Sequence, residues 1–304
     1  MKASIKKEIK AIGGEKIRFD VPMSQYTTLK TGGKAEILYR AGDLKKLKEI
    51  LNFLVNESIP YLIVGKGSNL LVMDGGLDKA VVILEGSFSL IEYPAAGATG
   101  IFVGAGVSLS RLVDFCSIKG LAGVEFLAGI PGTVGGAIFM NAGSWGKEIK
   151  DVVDELTILT KNMIIERKSA TSIKFWYRGV SLNEGDIILN AKLRLSFDKP
   201  DSIKERVVSN IKKRKEKFPV DMPSAGSIFK NPESDYAGRL IEAAGLKGKS
   251  IGGAMISPKH ANFIVKKGQC SASDISELMD LAISKVKQMY DVQLLPEIKV
   301  VGKK

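Results

Sequence analysis

Gly129-Ile130-Pro131-Gly132-Thr133-Val134-Gly135-Gly136 is a dense glycine cluster, and Asn141-Ala142-Gly143 follows it closely. Glycine has no Cβ, so backbone N–H groups can approach a charged ligand closely and positive φ becomes accessible. A sparser stretch of the same kind, Gly65-Lys66-Gly67-Ser68-Asn69-Leu70, follows the apolar run Tyr61 to Val64. It offers two glycines, then a hydroxyl and an amide. Leu70 stands where the G-x-G-x-x-G fingerprint needs its last glycine, so that motif is absent. Either loop alone reads equally well as a set of tight turns. Two of them, each after a strand pattern, favour a bound pyrophosphate.

Working outward, Leu44, Leu47, Ile50, Leu51 and Leu54 recur at helical spacing. They predict an amphipathic helix over residues 43–56, with Asp43 as its N-cap. Tyr61 to Val64 and Leu77 to Leu84 read as strands, so helix, strand and glycine turn make an α/β unit. Gly100 to Val107 reads as a strand. Ser108 starts a helix through Cys116 and Ile118 that Gly120 ends. Residues 152–159, 164–167 and 186–197 look like strands of a mostly antiparallel sheet. Lys199-Pro-Asp201 reads as a turn, followed by a basic helix over 202–217. Pro219 and Pro223 mark a linker to a third unit. That unit has a helix near 236–244, a strand at 262–265 and a long helix from Ser273 to Tyr290, with an N-capping signal in Ser273-Asp-Ile-Ser-Glu277. The tail 293–300 is strand-like, with Pro296 interrupting it.

Composition narrows the function classes. The chain has 304 residues, two or three domains' worth at ~100–200 residues each. The longest uncharged stretch, Phe126 to Gly146, has the ~20-residue length of a membrane span. Pro131 and six glycines break any helix there, and Asn141 would lack a partner in lipid. It reads as loops and strand of a soluble domain. Residues 1–10 alternate lysine with isoleucine and lack the apolar core of a signal peptide, so a cytoplasmic protein is expected. The two cysteines, Cys116 and Cys270, have no metal-ligand spacing and make no disulfide framework. Cys116 lies on a predicted core face. The single histidine, His260, excludes a His-rich metal site and speaks against a Ser-His-Asp triad; no metal is expected. Net charge is +12, which attracts phosphorylated ligands, nucleic acid or acidic lipid. The densest basic run, Lys212 to Lys217, has no aromatic residue for base stacking, so nucleic acid is not expected. Gly248-Lys-Ser250 imitates the end of a P-loop. Ala243 occupies the position of the required first glycine, and a helix precedes it, so a helix C-cap at Gly245 explains it better.

The two loops do not stand alone. Thr27-Thr-Leu-Lys-Thr-Gly-Gly-Lys34, Trp176-Tyr177-Arg178, Ala225-Gly-Ser-Ile-Phe-Lys-Asn-Pro232, Ser257-Pro-Lys-His-Ala-Asn262 and Leu295-Pro-Glu297 join them in one order along the chain. Together these motifs resemble the UDP-N-acetylenolpyruvoylglucosamine reductase (UDP-N-acetylmuramate dehydrogenase) family, from about Thr27 to Glu297. The resemblance implies an α+β protein: a two-part FAD-binding fold of the vanillyl-alcohol-oxidase/PCMH type, plus a C-terminal α+β substrate-binding domain. The expected parts are 1–85, 86–200 and 201–296, with the tail 297–304 packing back on the first. It implies noncovalent FAD, NADPH as hydride donor and UDP-N-acetylglucosamine enolpyruvate as acceptor. The product, UDP-N-acetylmuramate, is a peptidoglycan precursor. A monomer without nucleic-acid or membrane partners is expected. The short passage from Arg178 to the strand at 186 resembles the family's shorter type, which lacks an inserted loop with a substrate-clamping tyrosine.

Reducing an enol ether that carries a carboxylate needs a cation at the carboxylate, an acid at one carbon and support for enolate-like charge. The family motifs imply Arg178, Ser227 and Glu297 for these roles. A guanidinium is always charged and binds carboxylate bidentately. A serine hydroxyl is a weak acid and needs nearby lysine or N–H groups. Alone, each of the three reads as a surface or turn residue. Gly65 to Leu70, Gly129 to Thr133, Gly135, Gly136 and Asn141 to Gly143 are implied as FAD contacts. Tyr177, Lys217, Lys230 and Asn231 are implied as substrate contacts. His260 reads as structural or as a neighbour of the diphosphate.

Overall fold

Asp43 opens the first amphipathic helix by accepting a hydrogen bond from the Lys46 N–H at 2.9 Å, and Leu44–Asn56 follows with Leu47, Ile50, Leu51 and Leu54 buried. Ser108 caps Leu109–Lys119 in the same way, and Gly120 ends it in the left-handed conformation at φ 67. In this computed structural model, which describes residues 2–95 and 97–303, both helices fall where periodicity and capping residues put them.

The chain divides into two compact units, Met1–Arg18 with Leu38–Gly65 and Val81–Lys213, and Phe19–Ile37 with Lys66–Ala80 and Arg214–Lys304. The first unit is built on a five-stranded sheet. Its order is Ile165–Ser169, Val153–Leu159, Ile187–Arg194, Gly100–Gly104, Ile91–Glu92, and every pairing is antiparallel. Register shifts on either side of Leu156 break the strict two-residue alternation of Val153–Leu159. The helix Leu109–Lys119 buries Leu112, Val113 and Cys116. A four-stranded sheet has the order Ile17–Pro22, Lys34–Ala41, Leu77–Leu84, Tyr61–Ile63.

The second unit has a core of Ile228, Phe229, Leu240, Ile256, Leu278 and Val286, among others. Around it lie the antiparallel strands Ser250–Ile251, Ala254–Ile256 and Ile264–Lys266 and the helices Ala237–Ala243 and Ala272–Tyr290. Lys299–Val301 pairs in parallel with Leu70–Val72. Gly245 stands just past the helix Ala237–Ala243 at φ 73, and a strand follows at Ser250. That arrangement is a helix stop and not a P-loop. Among the described residues no helix is long and apolar enough to cross a membrane.

Three local expectations are corrected. The stretch read as loops and strand contains a helix, Val134–Phe139. Gly135 in it packs closely: a Cβ there would come within 2.8 Å of the Ala105 Cβ. The basic helix begins at Pro200, not Ser202, since proline needs no N–H partner in a first turn. The long helix is capped by Ser271, whose Oγ accepts from Asp274 N–H while Asp274 accepts from Ser271 N–H. Ser273 is drawn away, its N–H and hydroxyl both donating to Asp74.

Candidate functional site

In the first unit the two glycine loops meet. A Cβ on Gly65 would lie 2.4 Å from the Thr133 Oγ1, so no larger residue fits without displacement. Thr133 is itself fixed, as N-cap of Val134–Phe139 through Gly136 N–H. Val134 and Gly135 donate to the carbonyls of Val107 and Ala105, and the Gly132 carbonyl accepts from Leu109 N–H. The N–H groups of Gly132 and Thr133 have no acceptor among the described residues, although Gly132 is buried. Buried N–H groups are nearly always paired. Two adjacent free donors beside a glycine cradle suit a diphosphate, so the residues present fit a dinucleotide. Gly129 is exposed with φ 75, and Ile130 N–H closes a turn on Leu127. Pro131, between them, has no N–H to offer.

Asn141-Ala142-Gly143 continues from this loop. Asn141 is fully buried at φ 41. Its Nδ2 donates to Glu148 Oε2 at 2.9 Å and to the Trp176 carbonyl at 3.1 Å. Trp176 begins a tight hairpin in which it pairs with Gly179, leaving Tyr177 and Arg178 as the turn. Arg178 adopts φ 61, an unusual conformation for a side-chain-bearing residue, and its guanidinium lies 4.9 Å from the Tyr177 ring centroid. The chain then reaches the strand Ile187–Arg194 through the short link 181–186.

The second unit holds Lys66 to Leu70, Lys217, Ser227, Lys230, Asn231 and Glu297. Gly67 has φ 59, and a Cβ there would strike the Tyr26 carbonyl. Thr28 ties this loop to the serine turn: its N–H donates to the Gly67 carbonyl, and its Oγ1 to the Ser224 carbonyl at 2.6 Å. Asn69 Nδ2 donates to the Glu297 carbonyl at 3.1 Å, and Lys299 N–H to the Asn69 carbonyl. Glu297 N–H in turn donates to the Ile228 carbonyl at 2.7 Å, and Lys230 N–H to the Leu295 carbonyl at 2.9 Å. This ladder sets Glu297 against the residue that follows Ser227. Ser227 and Glu297 are half-buried, and the Ser227 hydroxyl makes no hydrogen bond among the described residues. Gly226, at φ 74, turns the chain just before it.

Asn262 closes the motif Ser257 to Asn262, and nothing in the sequence assigns it a role. It is 3% exposed. Its Oδ1 accepts from Phe229 N–H at 2.9 Å and its Nδ2 donates to the Phe229 carbonyl at 2.8 Å. One side chain thereby serves as a strand partner for the segment carrying Ser227. Asn231 Oδ1 accepts from Ala237 N–H, holding the start of Ala237–Ala243. Lys217 ends its helix exposed, 5.8 Å from the Phe218 ring. His260 packs against Phe218 and Phe263, which also stack on each other. Burial first, then the Lys217 charge, hold its imidazole below the usual 6.5, and its Nδ1 accepts from Asn262 N–H. Cys116 is fully buried, with burial pushing its thiol up to about 12. Among the described residues no group of three or more His, Cys, Asp and Glu could hold a metal.

The family described as "FAD binding domain" matches residues 35–166, and that described as "UDP-N-acetylenolpyruvoylglucosamine reductase, C-terminal domain" matches 218–301. The chain is 42% identical over 290 residues to the UDP-N-acetylenolpyruvoylglucosamine reductase of Caldanaerobacter subterraneus, covering 95% of each. It is 39% identical over 300 residues to that of Syntrophus aciditrophicus, covering 98% of this chain and 96% of that protein. The crystal structure of the Thermus caldophilus reductase superposes with a TM-score of 0.80 at 36% identity, covering 93% of this chain and 99% of that one. Agreement of this extent, from the glycine cradle to the Glu297 tail, settles the descent: the chain belongs to the UDP-N-acetylenolpyruvoylglucosamine reductase family and is an FAD-dependent oxidoreductase.

Proposed function

We propose that this protein reduces UDP-N-acetylglucosamine enolpyruvate to UDP-N-acetylmuramate with NADPH, in the cytoplasm, as a step of peptidoglycan precursor synthesis. The observation that carries the reading is the ladder joining Glu297 to the segment after Ser227. It sets an unpaired hydroxyl and a carboxylate on two adjacent, rigidly registered segments. The N–H groups of Gly132 and Thr133 would hold the pyrophosphate of FAD, which would supply the hydride when bound. Arg178 holds the substrate carboxylate through a charge-assisted pair, which grows stronger as negative charge moves onto that group. Ser227 delivers a proton to the carbon not taking hydride. Glu297 hydrogen-bonds the enolic oxygen while charge rearranges. Lys217, Lys230, Asn231 and Tyr177 bind the remainder of the nucleotide sugar.

FAD is held noncovalently. Cys116 is sealed in the core, and His260 is partly buried, its ring packed against Phe218 and Phe263, which supports this reading.

The proton is needed only when substrate is reduced. Ser227→Ala therefore keeps NADPH-driven bleaching of the flavin near its normal rate. Reoxidation by the enolpyruvyl nucleotide sugar slows by ~10²-fold or more, the usual scale for such a contact. Equal slowing of both half-reactions in stopped-flow traces would remove Ser227 from this role.

A further inference from the structure

Arg178 stands on a hairpin of only two paired residues per strand, Phe175–Trp176 with Gly179–Val180. Such a short hairpin does little to fix its own tip. The base is closed by Ser181, whose N–H donates to the Lys174 carbonyl and whose Oγ accepts from Lys174 N–H at 2.8 Å. The arm carrying the tip is held from outside, at the Trp176 carbonyl, by Asn141 Nδ2.

Asn141 is well placed to serve as an anchor. Its Nδ2 spends both hydrogens inside the protein, on Glu148 Oε2 and the Trp176 carbonyl, and its Oδ1 accepts from Lys150 N–H at 3.4 Å. The amide orientation is therefore fixed by its partners. Glu148 is fixed in turn. It forms a capping box with Asp151 and an ion pair with Lys150. With no donor left, the Asn141 side chain has no N–H to give a cofactor.

We infer that Asn141 is a positioning residue for Arg178: it ties the end of the flavin loop to the arginine hairpin and acts on the reaction through that arginine. The inference rests on the role of Arg178 proposed above. It also replaces the sequence-based expectation of Asn141 as an FAD contact: the residue is fully buried, and its own N–H donates to the Ile138 carbonyl.

The test is a double-mutant cycle on the flavin-loaded enzyme, reading flavin content, NADPH-driven flavin reduction, and KM and kcat for the enolpyruvyl nucleotide sugar. Asn141→Ala is expected to raise KM about tenfold, the scale of one hydrogen bond. Flavin content and its reduction by NADPH stay within about twofold of normal. In an Arg178→Ala background the same substitution moves KM less than about twofold, because the arginine through which it acts is gone. Additive losses would overturn the positioning role while leaving Arg178 in place. An unimpaired Arg178→Ala single variant would instead overturn the role of Arg178 itself. If Asn141→Ala does not fold, Glu148→Gln decides. By loosening the partner of Asn141 it should raise KM in the same direction by a smaller factor, again only when Arg178 is present. No change in KM with Glu148→Gln would count against the inference.

Discussion

Replacing Asn262 by alanine should loosen the segment that carries Ser227. The Asn262 side chain meets both the N–H and the carbonyl of Phe229, at 2.9 and 2.8 Å, in a site where Phe229 is 2% exposed. Alanine leaves both backbone groups without partners and with little access to water. Each orphaned group costs ~1–3 kcal/mol. Allowing for partial relaxation, the loss is about 2–4 kcal/mol, a large share of a typical total of ~5–15 kcal/mol. Urea unfolding followed by circular dichroism should show a lower midpoint with an unchanged slope. In the absence of urea, reoxidation of reduced flavin by substrate should slow more than reduction by NADPH, because Ser227 lies two residues before Phe229. Asn262→Asp should do no better than alanine: it keeps an acceptor for Phe229 N–H but turns an oxygen toward the Phe229 carbonyl. A loss below about 0.5 kcal/mol would show that water or a backbone shift replaces the amide, and the reasoning would fail.

Two further outcomes follow from the same geometry. His260 is held below its ordinary pKa of 6.5 by burial and by Lys217. As pH falls below 6.5 the unfolded chain takes up this proton before the folded one, so stability drops until the folded imidazole also titrates. His260→Gln should shrink the fall in urea midpoint between pH 7.5 and 5.5, and an unchanged fall would assign that pH dependence to other groups. With FAD bound noncovalently, acid precipitation should leave the yellow colour in the supernatant; colour retained in the pellet would mean a covalent link.

Signals carried within a few residues were legible in the sequence. Asp43, Ser108 and Gly120 mark helix ends by their own chemistry, and the helices end there. The antiparallel sheet of the first unit followed from its strand patterns. The helix Val134–Phe139 was not legible, because Gly135 in it packs closely on Ala105 and only the folded chain reveals that neighbour. The cap of the long helix lies at Ser271 and not Ser273 because Asp74, 199 residues from Ser273, takes the Ser273 N–H and hydroxyl. The same limit hid the amides of the site. Asn262 acts on Phe229 and Asn141 on Trp176, each more than thirty residues away, and an isolated asparagine carries no local sign of such a partner. The motifs name candidate site residues, and the structure shows which groups hold the segments that carry them.

The central claim is a hydride passed from NADPH to an enolpyruvyl nucleotide sugar through FAD, and anaerobic half-reactions test it most directly. The purified protein should be yellow. NADPH should bleach it in the absence of substrate, and UDP-N-acetylglucosamine enolpyruvate should then restore the oxidised spectrum with one UDP-N-acetylmuramate formed per flavin. Reduced flavin that oxygen reoxidises but the enolpyruvyl nucleotide sugar does not would contradict the account.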